Sequence, residues 1–266
     1  MIRACIFDLG GTIVDRYSLT PLLSLKQVFD THHLKVPDSV IFKDMGKSKF
    51  EHIKCILDNP IVQDANRGIL KESHEIQDIY PYYDQFNRFQ KINVKKYMDI
   101  LPETRSTIEF LKSNDILIGA TTGFNKEITA LVKQELDDAG IIIDKYVSST
   151  CLDMPGRPSP HMIHSIMNEF KIDSPQEVMK IDDTVVGIEE GRNANCWTVA
   201  VAKWSINMKI TSIKDAYHSS EDILEDKLKD SLDTLENSNA DYLVENLRGV
   251  NYIVDKFNGL NATYFT

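Results

Sequence analysis

The sequence predicts a doubly wound α/β core on a parallel sheet, with an all-helical insertion after the first strand. Short, continuously apolar runs alternate with helix-period segments, the pattern of strands buried on both faces. The apolar runs end in polar residues. Roughly a hundred residues separate the first run from the second, far beyond an ordinary strand–helix connection.

The first strand is expected over Ile2 to Phe7, stopping at Asp8. From about Pro21 to Met98 the chain reads as helices. One covers Leu22 to Phe29. Another covers Ser48 to Leu57, with Phe50, Ile53, Ile56 and Leu57 on one face. A third region runs from His74 to Tyr97 and is expected to break at Pro81. Residues 1–17 and 98–266 then form a Rossmann-like α/β core, and residues 18–97 a helical cap. Further strands are expected at Ile116 to Thr121, Tyr146 to Ser148, Val178 to Ile181 and Trp197 to Ala202. Helices are expected at Asn125 to Leu136, His161 to Phe170 and Val186 to Asn195. Helical stretches from Glu221 to Leu235 and from Asp241 to Phe257 follow, without a chemical motif. The strand ends are Asp8, Thr121-Thr122, Ser148-Ser149 and Asp182-Asp183. In open α/β sheets ligands bind beyond the carboxyl ends of the strands, so these loops predict one shared site.

The 266 residues carry a net charge of −10, with no long basic stretch, which argues against a nucleic-acid partner. No apolar run approaches the roughly 20 residues of a membrane span, and the first residues lack a leader pattern. Cys5, Cys55, Cys151 and Cys196 form no CxxC or zinc spacing and are expected to be buried free thiols. A reducing, cytoplasmic location follows as the expectation.

The first strand ends Phe7-Asp8-Leu9-Gly10-Gly11-Thr12. A strand-end carboxylate before two glycines can bind a hard cation and attack phosphorus, while glycine lets backbone N–H groups approach an anion. A capping Asp in a structural turn would look the same. Three other loops add weight. Thr122-Gly123 offers a hydroxyl and a backbone donor, Gly156-Arg157-Pro158 a fixed cation, and Asp182-Asp183-Thr184 further carboxylates for Mg²⁺.

These motifs, in this order, resemble the haloacid-dehalogenase superfamily. In that family the strand-end Asp is the nucleophile, and phosphatases carry a general acid two residues later. Here that position is Gly10. The branch without this acid is the phosphonoacetaldehyde hydrolase (phosphonatase) family. Met45-Gly46-Lys47-Ser48-Lys49-Phe50-Glu51-His52 is similar to that branch's Schiff-base segment, with Lys49 at the lysine and His52 at the histidine. Thr121-Thr122-Gly123-Phe124, Gly191-Arg192-Asn193-Ala194 and Trp197-Thr198-Val199 are similar as well.

The resemblance implies cleavage of a P–C bond in a small phosphonate, with Asp8, Lys49, His52, Thr122 and Arg157 catalytic. It implies Gly10, Met45, Gly123 and Phe124 at the substrate, and Asp8, Gly10 and Asp183 at Mg²⁺. It also implies a homodimer paired through the cap. Lys49 needs a depressed pKa, from desolvation or from Lys47 and Lys54 nearby.

Some positions depart from the pattern. Gly187 stands where a second acid is expected, and Asp182 where a glycine is expected. Asp182 either compensates for the missing acid or points away from the site. Phe124 replaces a Tyr, and Ser18 stands at a Cys position. The alternatives are a Mg²⁺-dependent phosphomonoesterase and a non-catalytic phosphoanion-binding relative.

Overall fold

A computed structural model describes residues 1–151 and 154–260. In chain order the first half contains β1 (Ala4–Phe7), α1 (Leu19–Thr31), α2 (Asp38–Lys43), α3 (Lys49–Leu57), α4 (Pro60–Ala65), α5 (Ile76–Tyr97) and α6 (Thr104–Ser113). Next come β2 (Leu117–Thr122), α7 (Lys126–Asp138), β3 (Lys145–Ser148), α8 (His161–Phe170), β4 (Val178–Asp182) and α9 (Val185–Asn193). The chain continues with β5 (Trp197–Val201), α10 (Ile213–His218), α11 (Glu221–Glu236), β6 (Tyr242–Val244) and α12 (Leu247–Asn258).

The strands form one six-stranded parallel sheet in the order β3-β2-β1-β4-β5-β6. Side chains alternate across it. Cys5, Phe7, Ile118, Ala120, Met179, Ile181, Val199 and Val201 pack with residues of α6, α7 and α12. Ala4, Ile6 and Val178 face the other way, onto Met162, Ile163 and Ile166 of α8. Two covered faces explain why the strands read as continuous apolar runs.

The expected strands agree with the observed ones to within two residues at either end. β6 is a correction. Asp241 to Phe257 read as helix, yet Tyr242–Val244 is an edge strand beside Val199–Val201. A three-residue strand offers too little alternation to stand out from the amphipathic α12 that follows. Pro81 is a second correction, because α5 runs unbroken from Ile76 to Tyr97. The Gln77 carbonyl that Pro81 cannot serve belongs to an exposed residue, so water can satisfy it. Cys5 and Cys196 are buried free thiols as expected, whereas Cys151 is exposed.

Helices α1 to α5 fill the long gap after β1. α1 packs along α5, and α3 packs against α5. Their apolar cluster includes Leu22, Leu25, Ile53, Ile56, Leu57, Ile79 and Phe86, and it extends to Ile206, Met208 and Ile210. The two chain crossings into this layer are tied together. Val14 bridges Ile100, the Asp15 N–H donates to Asp99 O at 2.7 Å, and the Leu101 N–H donates to Ile13 O at 3.0 Å. None of the described helices is long and apolar enough to cross a membrane.

Candidate active site

Asp8 stays on the β1 ladder, its N–H donating to Ile181 O at 2.9 Å. β1 and β4 are neighbours where the strand order reverses. Asp8, Asp182 and Asp183 therefore leave the sheet side by side, at the crevice such sheets use for ligands. Gly11 turns the loop at φ +81°, and a Cβ there would lie 2.5 Å from Asp183 Oδ2. Only glycine permits both that conformation and that approach.

Arg157 reaches across to this point. Its Nη1 lies 2.8 Å from Asp8 Oδ1 and 3.4 Å from Asp182 Oδ2, and its Nε 2.9 Å from Glu190 Oε2. Its Nη2 donates to the Thr121 carbonyl and hydroxyl at 2.7 and 2.8 Å. Lys180, fully buried, donates to Thr121 Oγ1 at 2.8 Å and sits 2.9 Å from Asp182 Oδ2. The Thr121 hydroxyl donates to Glu190 Oε2 at 2.9 Å. Burial opposes the Arg157 charge, but Glu190, Asp182 and Asp8 more than offset it and hold the guanidinium protonated.

Formally, the acids Asp8, Asp182, Asp183 and Glu190 outnumber the buried cations Arg157 and Lys180, and Lys49 across the cleft offsets part of that excess when protonated. Burial pushes the Asp8 carboxyl up to about 6, with Arg157 pulling it down and Asp182 raising it further. Burial, then Asp182 and Asp8, drive Asp183 well above the usual carboxylate range. Burial also works against an ionised Asp182, yet Lys180 and Arg157 hold it below that range. Asp8, Asp182 and Asp183 each bring a carboxylate oxygen within 4.8 Å of the others. An acidic excess and clustered hard oxygen donors fit a divalent cation.

The opposite wall of the cleft comes from α3 and the loop before it. Ser48 caps α3, its Oγ accepting from the Glu51 N–H at 3.4 Å. Lys49, in the first turn, is 7% exposed, and its Nζ meets Met45 Sδ at 3.6 Å and His52 Nδ1 at 3.5 Å. His52 Nε2 lies 2.8 Å from the Ile41 carbonyl, which can only accept. Nε2 therefore carries the hydrogen, and the Nδ1 lone pair faces Lys49. Burial and the Lys49 charge hold His52 well below the usual histidine value, so the ring stays neutral.

Burial lowers Lys49 to about 8, with Asp8 opposing and Arg157 assisting. Desolvation, one of the two expected causes, is therefore the leading one. Lys47 and Lys54 are not the responsible cations, because each is paired locally, with Asp44 and Asp58 at 2.5 Å.

The cleft is lined by Asp8, Gly10, Met45, Lys49, Thr122, Gly123, Phe124 and Arg157 among others. Every residue expected at the site lines it except His52, which stands behind Lys49, and Asp183, which lies beneath Gly11. The Thr122 hydroxyl accepts from the Phe124 N–H at 3.1 Å. A Cβ on Gly123 would come within 2.7 Å of Lys47 O and 2.9 Å of Gly46 O. A Cβ on Gly46, at φ +97°, would come equally close to the Thr184 hydroxyl. The Lys49 loop is thus seated directly on the core.

Thr12, Lys180 and Glu190 were missed from the sequence, and Thr121 was read only as a polar strand end. Thr12 donates to Asp183 Oδ1 at 3.1 Å, and the other three tie Arg157 to the sheet. The signal available was Lys180, two residues before Asp182 in a strand and so on the same face.

Residues 2–195 match the haloacid dehalogenase-like hydrolase family. The chain is 30% identical to the phosphonoacetaldehyde hydrolase of Latilactobacillus sakei over 256 residues, 96% of each protein. It is 33% identical to that of Paraburkholderia phytofirmans over 202 residues, 76% of this chain and 75% of that protein. A crystal structure of a phosphonoacetaldehyde hydrolase like protein from Oleispira antarctica superimposes with a TM-score of 0.88 at 25% identity, covering 99% of this chain and 96% of that one. With strand-end acids, a sheet-anchored arginine and a lysine from α3 in one cleft, the chain belongs to the haloacid dehalogenase-like hydrolases, in the phosphonoacetaldehyde hydrolase family.

Proposed function

We propose that the protein hydrolyses the P–C bond of phosphonoacetaldehyde or a close analogue, giving acetaldehyde and phosphate. The observation that carries this reading is Lys49, a desolvated amine lowered to about 8, in the same cleft as Asp8 while Gly10 supplies no acid. A carbanion is a poor leaving group, so the carbon needs an electron sink. The Lys49 amine adds to the substrate aldehyde and loses water to give an iminium. The His52 Nδ1 lone pair takes a proton from Lys49 during the addition. An Asp8 carboxylate oxygen attacks phosphorus, the P–C bond breaks, and its electron pair passes into the iminium to form an enamine. The enamine takes up a proton at carbon, and water releases acetaldehyde and regenerates Lys49. A second water cleaves the aspartyl phosphate.

Arg157 and Thr122 bind the phosphoryl oxygens, while Gly10, Met45, Gly123 and Phe124 shape the aldehyde end. Asp8, Asp183 and the backbone at Gly10 hold Mg²⁺, which offsets the phosphoryl charge when bound.

Residues 18–97 act as the cap domain over a core of 1–17 and 98–266. Ile61, Ile69, Ile76 and Tyr80, each more than half exposed, offer an apolar surface for a homodimer through the cap. The partner is a small phosphonate or phosphate in the cytoplasm, not nucleic acid or membrane.

Borohydride reduction during turnover tests the imine. A substrate adduct on Lys49, absent from K49A, is expected. An intact P–C cleavage rate in K49A overturns the mechanism. Fast hydrolysis of unactivated phosphate esters would favour the phosphomonoesterase reading, and no phosphate release at all a non-catalytic relative.

A further inference from the structure

Asp182 and Gly187 share one volume. A Cβ built on Gly187 falls inside the Asp182 carboxylate. An acid at position 187 and the present Asp182 side chain are therefore mutually exclusive. The family resemblance expects a glycine at position 182 and the second acid at position 187, so the chain carries the two residue types exchanged.

We propose that Asp182 is the relocated second acid of the cation site, and that Gly187 is there to admit its carboxylate. This rests on the metal-dependent phosphoryl-transfer reading and extends it to how this chain builds the site.

The local geometry explains how the exchange works. β4 ends at Asp182, and Thr184 caps α9 by accepting from the Gly187 N–H at 3.1 Å. The strand end and the first turn of α9 thus border the same space. Asp182 Oδ1 accepts from the Thr184 N–H at 2.9 Å and from its hydroxyl at 2.7 Å. Those bonds fix the side chain across the missing side chain of residue 187. Asp182 lies in the acidic cluster with Asp8 and Asp183. The Asp182 carboxylate thus occupies the position of a residue-187 Cβ, bringing an acid from the strand to the border that the helix would otherwise fill.

Charge agrees with this. Without Asp182, the acids Asp8, Asp183 and Glu190 would leave one uncompensated negative charge against Arg157 and Lys180. With it the acidic excess is larger, which favours a bound cation.

Cation affinity, measured without substrate, separates the possibilities. Mg²⁺ and Mn²⁺ titrations by calorimetry, with Mn²⁺ signals by electron paramagnetic resonance, would compare wild type, D182N, D182G and the double variant D182G/G187D. D182N and D182G are expected to bind the cation about 10–100-fold more weakly. The double variant is expected to recover most of that loss, because the acid returns to the same volume from the helix side. Folded D182N with wild-type affinity overturns the inference, as does a folded double variant no better than D182G. If the exchanged variant does not fold, near-isosteric D182N decides alone. A wild type that binds no divalent cation overturns both this inference and the metal part of the proposed function. A wild type that binds it and still leaves P–C bonds intact overturns that function alone.

Discussion

At the strand ends, Asp8, Asp182, Asp183 and Glu190 crowd around Arg157 and Lys180. Across the cleft, Lys49 stands against the Met45 sulfur and a neutral His52 ring. The first wall keeps charges buried by opposing them with other charges, and its surplus calls for a cation. The second wall makes an ammonium unstable by withdrawing water. Both are ways of tuning ionisation in a dry site, but they fail differently. Damage to the acidic wall should unbalance partners, whereas damage to the lysine wall should relieve strain.

The largest expected effect is on the acidic wall. D8N should lower kcat by at least about 10⁴-fold, the scale on which losing a nucleophile acts. Phosphate release in single-turnover assays checks this. Residual turnover within tenfold of wild type would remove Asp8 from the chemistry.

The lysine wall should respond in the opposite sense for stability. K49M should abolish turnover yet stabilise the fold at pH 7 by up to about 3 kcal/mol, since a shift of one pKa unit is about 1.4 kcal/mol. The folded value is about 8, and the unfolded one about 10.4. Between them the unfolded chain holds the extra proton, so wild-type stability rises with pH across this window. Below pH 8 the burial cost is fully present, and the K49M advantage should vanish as pH approaches about 10.4. Urea midpoints of both proteins at pH 7 and pH 10 measure it. A destabilised K49M at pH 7 would contradict the contrast between the walls.

Under the proposed imine mechanism the same amine sets a pH limb on catalysis. The reactive form of Lys49 is neutral, so kcat/KM should climb with pH and level off near pH 8. A flat profile between pH 6 and pH 8 would argue against amine chemistry.

The smallest effect concerns how the walls meet. G123A adds a Cβ against the Lys47 and Gly46 carbonyls, at 2.7 and 2.9 Å. Displacing the Lys49 loop should cost up to about 100-fold in kcat/KM, while cation affinity stays at the wild-type level. Unchanged kinetics would mean that the close seating of this loop is dispensable.

Much of this molecule can be read along the chain. The parallel sheet shows in apolar runs such as Val178 to Ile181, because strands covered on both faces carry no alternation. The order of polar strand ends located the cleft, and the proposed electron sink rests on Gly10 together with Lys49, both local features of short motifs. β6 and the continuity of α5 through Pro81 were not legible, one being too short for its period to register and the other depending on exposure of a single carbonyl. The tertiary structure alone decided where Asp182 points. Its carboxylate fills the place of a side chain at Gly187, and that requires the end of β4 and the first turn of α9 to border one space. It alone joined Lys180, Glu190 and Thr121 to Arg157, residues far apart in sequence that meet only in the folded site. Sequence determines which groups can ionise; packing determines which of them lose water and which charges they then face.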